Sequence, residues 1–409
     1  MHNNAEKPAI SQLEMIVLLA LMTSLGALSI DLQLPAMALI ADSFSLDSAN
    51  QQQWIITAYM LGFAVAQIFY GPISDSLGRK PVLLFGTGLY VLTSVALVWV
   101  DSYALFLLSR AFQGVGAAAA RIMVNAITRD LYAGNEMARI TSLVMLIFIM
   151  VPVFAPSIGS VLLYVGHWHS ILYTFIAFGM VLMVWSALRL PETLSVARRK
   201  PRGLKPVWAS FKTVIGQPVS VVFAIISGLI FSGFMAYLNS AQQLFSHTYQ
   251  VAEAFPYIFG GLALFFGLAA FINSKIVMQV GAMRVTVKAM GSLLVIEVIG
   301  MVLVSWYGGV PPLAVFIALI GLINICVGLI FGNVIAIAML PLGNHAGMGA
   351  SVIGMLSALI AAILGISISQ QYSLSVTPIV CGFLGTTVAA FVLLMKFRNH
   401  VTEDEEPVS

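Results

Sequence analysis

The chain predicts an all-α membrane protein of twelve transmembrane helices in two six-helix bundles, with both termini in the cytoplasm. Three observations carry this expectation. Hydrophobic residues make up 60% of the 409 positions and charged residues 9%, against about 25% charged in a soluble globular protein. The apolar residues gather into roughly twelve continuous runs of ~20, the length of a helix that crosses a bilayer. The lysines and arginines fall on one alternating set of connecting loops, which the positive-inside bias assigns to the cytoplasm.

The runs lie near 14–35, 51–73, 80–100, 103–127, 137–163, 169–190, 218–240, 255–275, 285–306, 312–334, 347–369 and 376–396. They lack the two-residue alternation of barrel strands, so helices are expected. On the cytoplasmic side fall Lys7, Arg79, Lys80, Arg129, Arg139, Arg189, Arg198, Arg199, Lys200, Arg202, Lys205, Lys212, Lys275, Arg284, Lys288, Lys396 and Arg398; only Arg110 and Arg121 sit inside a span. Residues 1–13 form a cytoplasmic N-terminus. The run that follows is too long for a signal peptide and lacks a small-residue cleavage site, so it is expected to stay as the first helix, as suits direct insertion into a bacterial inner membrane.

The first bundle is expected over 14–190 and the second over 218–396. Between them, 191–217 has the composition of a cytoplasmic linker, with Pro191, Pro201, Gly203 and Pro206 among basic residues from Arg198 to Lys212. Residues 397–409 form an acidic tail. Two six-helix halves are the arrangement of transporters built from repeats, with a substrate site near the midplane between them. The internal likeness is faint: the turn at Gly78, Arg79 and Lys80 has only Gly281 and Arg284 as its counterpart.

Function classes narrow quickly. Twelve spans use about 240 positions, leaving no room for a large extramembrane catalytic domain. The spans hold no His-acid cluster, nucleophile motif or phosphate loop, so an enzyme is not expected. A net charge of +3 without a concentrated basic face gives no reason to expect a nucleic-acid partner. Cys326 and Cys381 fall within spans and read as apolar fillers. His167 and His169 flank Trp168 and lack further metal ligands, which suits an interfacial aromatic belt. No metal or cofactor is expected beyond a coupling proton, the partners are the bilayer and a small-molecule substrate, and a monomer is the default.

The intramembrane charges are the candidate site, because a charge at the bilayer centre costs about 2.5–3.5 kcal/mol on insertion scales. Asp31 precedes Pro35 by four residues, and a proline there removes the donor that its carbonyl would meet. An acid beside freed acceptors and partly out of water can take up and release a proton. Asp31 is therefore either the proton carrier or a structural acid paired permanently with an arginine. Arg110 and Arg121 are eleven residues apart, which returns to within ~20° of the same helix face about 16 Å further along. Arg121 either pairs Asp31 or selects an anionic or zwitterionic cargo. Asn125, one turn on, could hold substrate. Glu297 is a second acid, favoured for helix packing or snorkelling.

Polar residues Asn239, Gln242 and Gln243 in span seven, with Asn324 and Asn333 in span ten, line a cavity or bond helix to helix. Tyr59, Phe63, Phe231 and Phe234 offer aromatic surface to an apolar cargo, or pack. In span five, Pro152 and Pro156 each remove a backbone donor and are expected to bend a helix rich in small residues, Gly159 among them. At the junction of spans two and three, Gly71-Pro72-Ile73-Ser74-Asp75-Ser76-Leu77-Gly78-Arg79-Lys80-Pro81 reads as a tight turn whose Asp75 accepts from backbone amides or Arg79.

That junction resembles the loop signature of the major facilitator superfamily, in which it is a cytoplasmic latch; Ser76 stands where the family usually has arginine. Tyr59 to Gln67, Arg110 with Gln113, Gly114 and Gly116, Asn125 to Asp130, and Leu190-Pro191-Glu192-Thr193 look like the Bcr/CflA group of drug:proton antiporters, a likeness running from about Asp31 to Thr193. The phrase Tyr237 to Gln243 looks like one branch of the same group. The resemblance implies the superfamily fold and export of small amphiphilic compounds, such as drugs or metabolites, in exchange for protons. It makes Asp31 a protonation site and Arg110 a residue of proton coupling. The Pro152 to Ser160 stretch resembles the superfamily's antiporter motif, with Ala155 and Ser160 in place of two usual glycines. A dedicated metabolite or siderophore exporter, and an uptake symporter or facilitator, are the alternatives.

Overall fold

The computed structural model describes residues 10–199 and 204–402, and among these every regular element is helical. In chain order the helices are α1 (Gln12–Asp31), α2 (Met37–Ser43), α3 (Trp54–Leu77), α4 (Arg79–Trp99), α5 (Tyr103–Leu131), α6 (Gly134–Val165), α7 (His169–Arg189), α8 (Leu204–Ile215), α9 (Pro218–Gln243), α10 (Phe255–Val280), α11 (Ala282–Trp306), α12 (Leu313–Met339), α13 (Ala346–Ser369) and α14 (Thr377–Thr402).

Eleven of the helical stretches are long and apolar enough to cross a membrane. The expected twelfth is α5, which has the length, at 29 residues, but is too polar to qualify. It carries Arg110, Gln113, Arg121, Asn125, Arg129 and Asp130, charges that a neighbouring protein surface can accept and a lipid tail cannot. The first span also departs from the continuous 14–35 expected. Helix α1 stops at Asp31, a 3-10 turn over Leu34–Ala36 follows, and α2 continues to Ser43. Pro35 explains the break, because it leaves the Asp31 carbonyl without its helical donor.

The stretch read as a linker holds a helix, α8, on which Trp208 and Phe211 stack with ring centroids 5.2 Å apart and Val214 is buried. Residues 1–9, 200–203 and 403–409, which include most of the expected N-terminal segment, part of the linker and most of the acidic tail, lie outside the described residues.

Helices α1 to α7 pack mainly on one another, as do α9 to α14, and the two sets meet along α3 against α13 and α6 against α10. Within the first set the α3–α5 contact is the tightest, because small residues let backbones approach. A Cβ on Gly114 would sit 2.0 Å from the Tyr59 carbonyl oxygen, and one on Gly62 would sit 1.9 Å from that of Ala111. This seam fixes the depth of Arg110 and Arg121 against α3. Helix α6 runs through Pro152 and Pro156 without interruption.

Gly114→Val should therefore force α3 and α5 apart, at a cost of about 1–3 kcal/mol for overpacking. We expect a lower midpoint of thermal unfolding and less protein in the membrane. Gly385→Ala, where nothing lies within 4 Å of the added Cβ, should leave both unchanged.

Candidate functional site

The bundle has two ends. One carries the starts of α1 and α4 and the end of α7, and is called the latch end here; the far end carries α2 and the start of α3. Asp31 ends α1 in the far half of the bundle. It is 5% exposed and has no hydrogen-bond or ion-pair partner among the described residues. The residue after it packs on α6, where a Cβ on Gly159 would lie 2.2 Å from the Leu32 carbonyl oxygen and 3.4 Å from Pro35 Cγ. The small residue of the Pro152–Pro156–Gly159 stretch thus admits the broken end of α1.

Arg110 is fully buried and bonds no carboxylate. Its Nη2 donates to the Ser29 carbonyl at 3.0 Å, its Nε to the Ile55 carbonyl at 3.5 Å and its Nη1 to Gln113 Oε1, while its guanidinium lies 4.8 Å from the Tyr59 ring centroid. Gln113 Nε2 donates in turn to Ser94 Oγ at 2.7 Å, and Ser29 Oγ shares a 2.7 Å hydrogen bond with Tyr90 Oη. One cation therefore ties α1, α3, α4 and α5 together. Tyr59, expected to offer surface to a cargo, is instead buried beneath Arg110, stacked 6.3 Å from Phe63.

Arg121 does not pair Asp31. Arg110 is level with Ser29, and Arg121 lies about 16 Å further along α5 toward the latch end. Its guanidinium has no hydrogen-bond or ion-pair partner among the described residues. Arg121 is partly exposed, and Asn125 and Arg129 are exposed, while their flanking residues Ala120, Ile122 to Val124 and Ala126 to Thr128 are buried. The apolar stripe of the same helix, Leu105, Leu108 and Phe112, is also exposed. Phe112 and Arg121 are nine residues apart, about 180° around the helix. The two stripes lie on opposite sides of α5, and the exposure of Asn125 and Arg129 marks the polar side as an opening reached by solvent, called the crevice here. Phe63 is partly exposed beside Gly26, and Phe234 packs edge-on to Phe266 at 5.0 Å and near Phe231 at 5.4 Å.

Of the polar residues left between a cavity and helix-to-helix bonding, Asn239 and Gln242 are buried in a seam that joins the two halves at the far end, and Gln242 also lines a cavity there with Pro35, Ser160 and Ser246. Asn239 Nδ2 donates to Thr57 Oγ1 at 3.4 Å and Ser369 Oγ at 3.5 Å; Gln52 Nε2 donates to Gln242 Oε1 at 3.4 Å. The stronger bonds join Gln243 to residues not singled out in the sequence, Asn50, Gln53 and Gln370 among them. Gln53 Nε2 donates to Gln243 Oε1 at 2.7 Å, Gln243 Nε2 to Asn50 Oδ1 at 3.0 Å, Gln370 Nε2 to Gln53 Oε1 at 2.9 Å, and Asn50 Nδ2 to the Tyr372 carbonyl at 2.9 Å. The available signal was the pair of amide-rich runs, Asn50 to Gln53 and Gln370 to Gln371, at ends of spans that topology brings together. Glu297 is fully buried, which removes the snorkelling option; its Oε1 accepts from Thr387 Oγ1 of α14 at 2.9 Å. Asn333 bonds Asn273 and Asn324 bonds the Leu262 carbonyl, both helix to helix.

At the latch end the structure shortens the expected turn to one residue. Gly71 to Leu77 are helical, with Gly71 close enough to α13 that a Cβ would lie 3.0 Å from Ser351 Oγ. Gly78 alone reverses the chain, at φ +105°. Arg79, 3% exposed, donates through Nη1 to Asp75 Oδ1 and Ser74 Oγ, both at 2.7 Å, and through Nε to Asp130 Oδ2 at 2.9 Å. Glu192, beyond α7, accepts from the amides of Arg79 at 2.8 Å and Lys80 at 3.2 Å, so a carboxylate caps the positive N-terminus of α4. Gly281, between α10 and α11, keeps the left-handed φ of +87°, and nothing lies within 4 Å of its Cβ position. The turn is repeated in the second half without its ion pairs.

Residues 19–365 match the family model described as Major Facilitator Superfamily, and the chain belongs to that family. It is 29% identical over 268 residues to the bicyclomycin resistance protein homolog of Haemophilus influenzae, covering 65% of this chain and 67% of that one. It is 27% identical over 388 residues to the multidrug resistance protein MdtL of Salmonella heidelberg, covering 92% and 94%. Its fold is that of the xylose transporter XylE from E. coli in a partially occluded inward-open conformation, at a TM-score of 0.72 and 12% identity over 93% of this chain and 97% of that one. The likeness to the Bcr/CflA-type drug transporters thus stands on relatives as well as on motifs.

Removing both sides of the strongest far-end bond, as Gln53→Ala with Gln243→Ala, should favour separation of the halves there. Ser369, fully buried in the seam, reports it: a cysteine at 369 in a Cys326→Ser/Cys381→Ser background should react with a water-soluble maleimide faster in the double variant than with the seam intact.

Proposed function

We propose that this protein exports small amphiphilic compounds across the bacterial inner membrane in exchange for protons, by rocking of its two halves. On this reading α5 is the twelfth span, its charges turned inward, and both termini lie with the basic loops in the cytoplasm. The Pro152–Pro156–Gly159 stretch of α6, at the contact with the second half, is where packing changes as the halves rock. The relatives named for bicyclomycin and multidrug resistance support export of such compounds.

The observation that carries the reading is the state of Asp31. It is a nearly buried carboxyl with no partner, at the break between α1 and α2 and against the proline-rich helix that contacts the second half. A carboxyl kept for structure is held by a fixed donor, as Glu14 is by Arg189 at 2.8 Å and Glu297 by Thr387 at 2.9 Å. An acid with no fixed partner changes its solvation with its charge, so its protonation alters the relative stability of the two access states. Arg110, bonded to the carbonyl of Ser29 two residues away, holds the end of α1 in position and couples that change to α3 and α5.

The test is transport in everted membrane vesicles. Accumulation of a drug substrate should depend on an imposed proton gradient and collapse on addition of a protonophore, and Asp31→Asn should reduce it to the level of vesicles lacking the protein. Gradient-driven transport that Asp31→Asn leaves at wild-type rate would rule out the coupling role, and transport indifferent to the gradient would favour a facilitator.

A further inference from the structure

We infer that the crevice is built for a negatively charged cargo, an amphiphile bearing a carboxylate, sulfonate or phosphate group that docks on Arg121. The inference rests on the transport reading above and names its substrate class.

The first ground is that, of the two intramembrane cations, Arg121 has no partner among the described residues. Arg110 sits beside it in sequence type but satisfies its donors on Ser29, Ile55, Gln113 and the Tyr59 ring. Arg121 has neither a hydrogen bond nor an ion pair among the described residues. A guanidinium at membrane depth is costly unless something neutralises it, and its planar fork of donors matches an oxyanion in a two-point contact.

The second ground is orientation. Arg121 lies about 180° from the lipid-facing Phe112 and one turn from exposed Asn125, so both open onto the crevice and not onto lipid. Asn125 supplies a neutral donor and acceptor beside the cation. Arg129, exposed on the same stripe a further turn toward the latch end, adds a second positive charge at the mouth, where a Cβ on Gly347 of α13 would lie 3.3 Å from its Nη1.

The third ground is that the intramembrane acids are engaged elsewhere in space. Asp31 is about 16 Å away along the helix axis, and Glu297 accepts from Thr387 of α14. The crevice wall formed by α5 is therefore positive, and a cationic drug would meet repulsion where an anion meets a partner.

A matched trio of fluorescent probes tests this on the purified full chain in lipid nanodiscs: dansylglycine (anionic), dansylamide (neutral) and dansylcadaverine (cationic). Wild type should bind dansylglycine tightest. Arg121→Gln should weaken dansylglycine by about tenfold or more, the loss expected for a charge-assisted hydrogen bond, and leave dansylamide unchanged. Arg121→Lys should recover part of the loss. Asn125→Asp leaves Arg121 in place but offers it an intramolecular carboxylate one turn away, and should abolish the anion preference in the same way, which guards against a variant that misfolds. A wild type that binds dansylglycine no better than the other two, or an Arg121→Gln variant that keeps the preference, overturns the inference. Proton-driven transport of dansylcadaverine that depends on Asp31 would leave the exporter reading standing while this inference falls.

Discussion

A single guanidinium, Arg110, determines how the first half is assembled. It is fully buried, and no carboxylate neutralises it; carbonyls, an amide and an aromatic ring share the charge. Each acceptor belongs to a different part of the bundle, so moving any one of α1, α3 or α5 would strip a bond from a desolvated cation, which costs far more than an ordinary hydrogen bond is worth. The depth of Arg121, the placement of Ser29 and the break after Asp31 are all set relative to that anchor.

The membrane imposes a rule that divides the remaining charges into two kinds. Some are held locally: one oxygen of Glu297 by Thr387, and Arg79 by Asp75 and Asp130. Asp31 and Arg121 have neither a hydrogen bond nor an ion pair among the described residues, and they lie on different helices at different depths. On the reading proposed above, a proton at the first and a cargo at the second would not compete for the same atoms, and exchange would arise through the two arrangements of the halves, each group biasing the same equilibrium.

Much of this was legible in the sequence because hydropathy and charge act over whole spans. Most helix positions and the one-sided basic loops follow from period and composition alone, and the release of the Asp31 carbonyl by Pro35 was legible although the break it causes in the first span was not. What stayed hidden depends on which helices meet. The seam residues Gln53, Gln243 and Gln370 are far apart in the chain, and nothing local distinguishes an amide that bonds across the halves from one that faces a cargo. Whether Tyr59 meets a cargo or packs was undecidable for the same reason: its burial is decided by Arg110, more than fifty residues away. The role of Glu192 at the α4 N-terminus likewise needs the end of α7 to be brought back beside Gly78.

The far-end closure contains amides, hydroxyls and backbone carbonyls, with no ion pair among its described bonds. Neutral groups of this sort are rewetted at small cost when they part, since water replaces each bond nearly in kind. Ionic strength and acidity act little on these described bonds, because none of them contains an ion pair to screen or a carboxyl to titrate. On the exporter reading proposed above this end is the outer door, whose described bonds would part alike in dilute or saline surroundings, while the buried Asp31 behind it would answer to acidity.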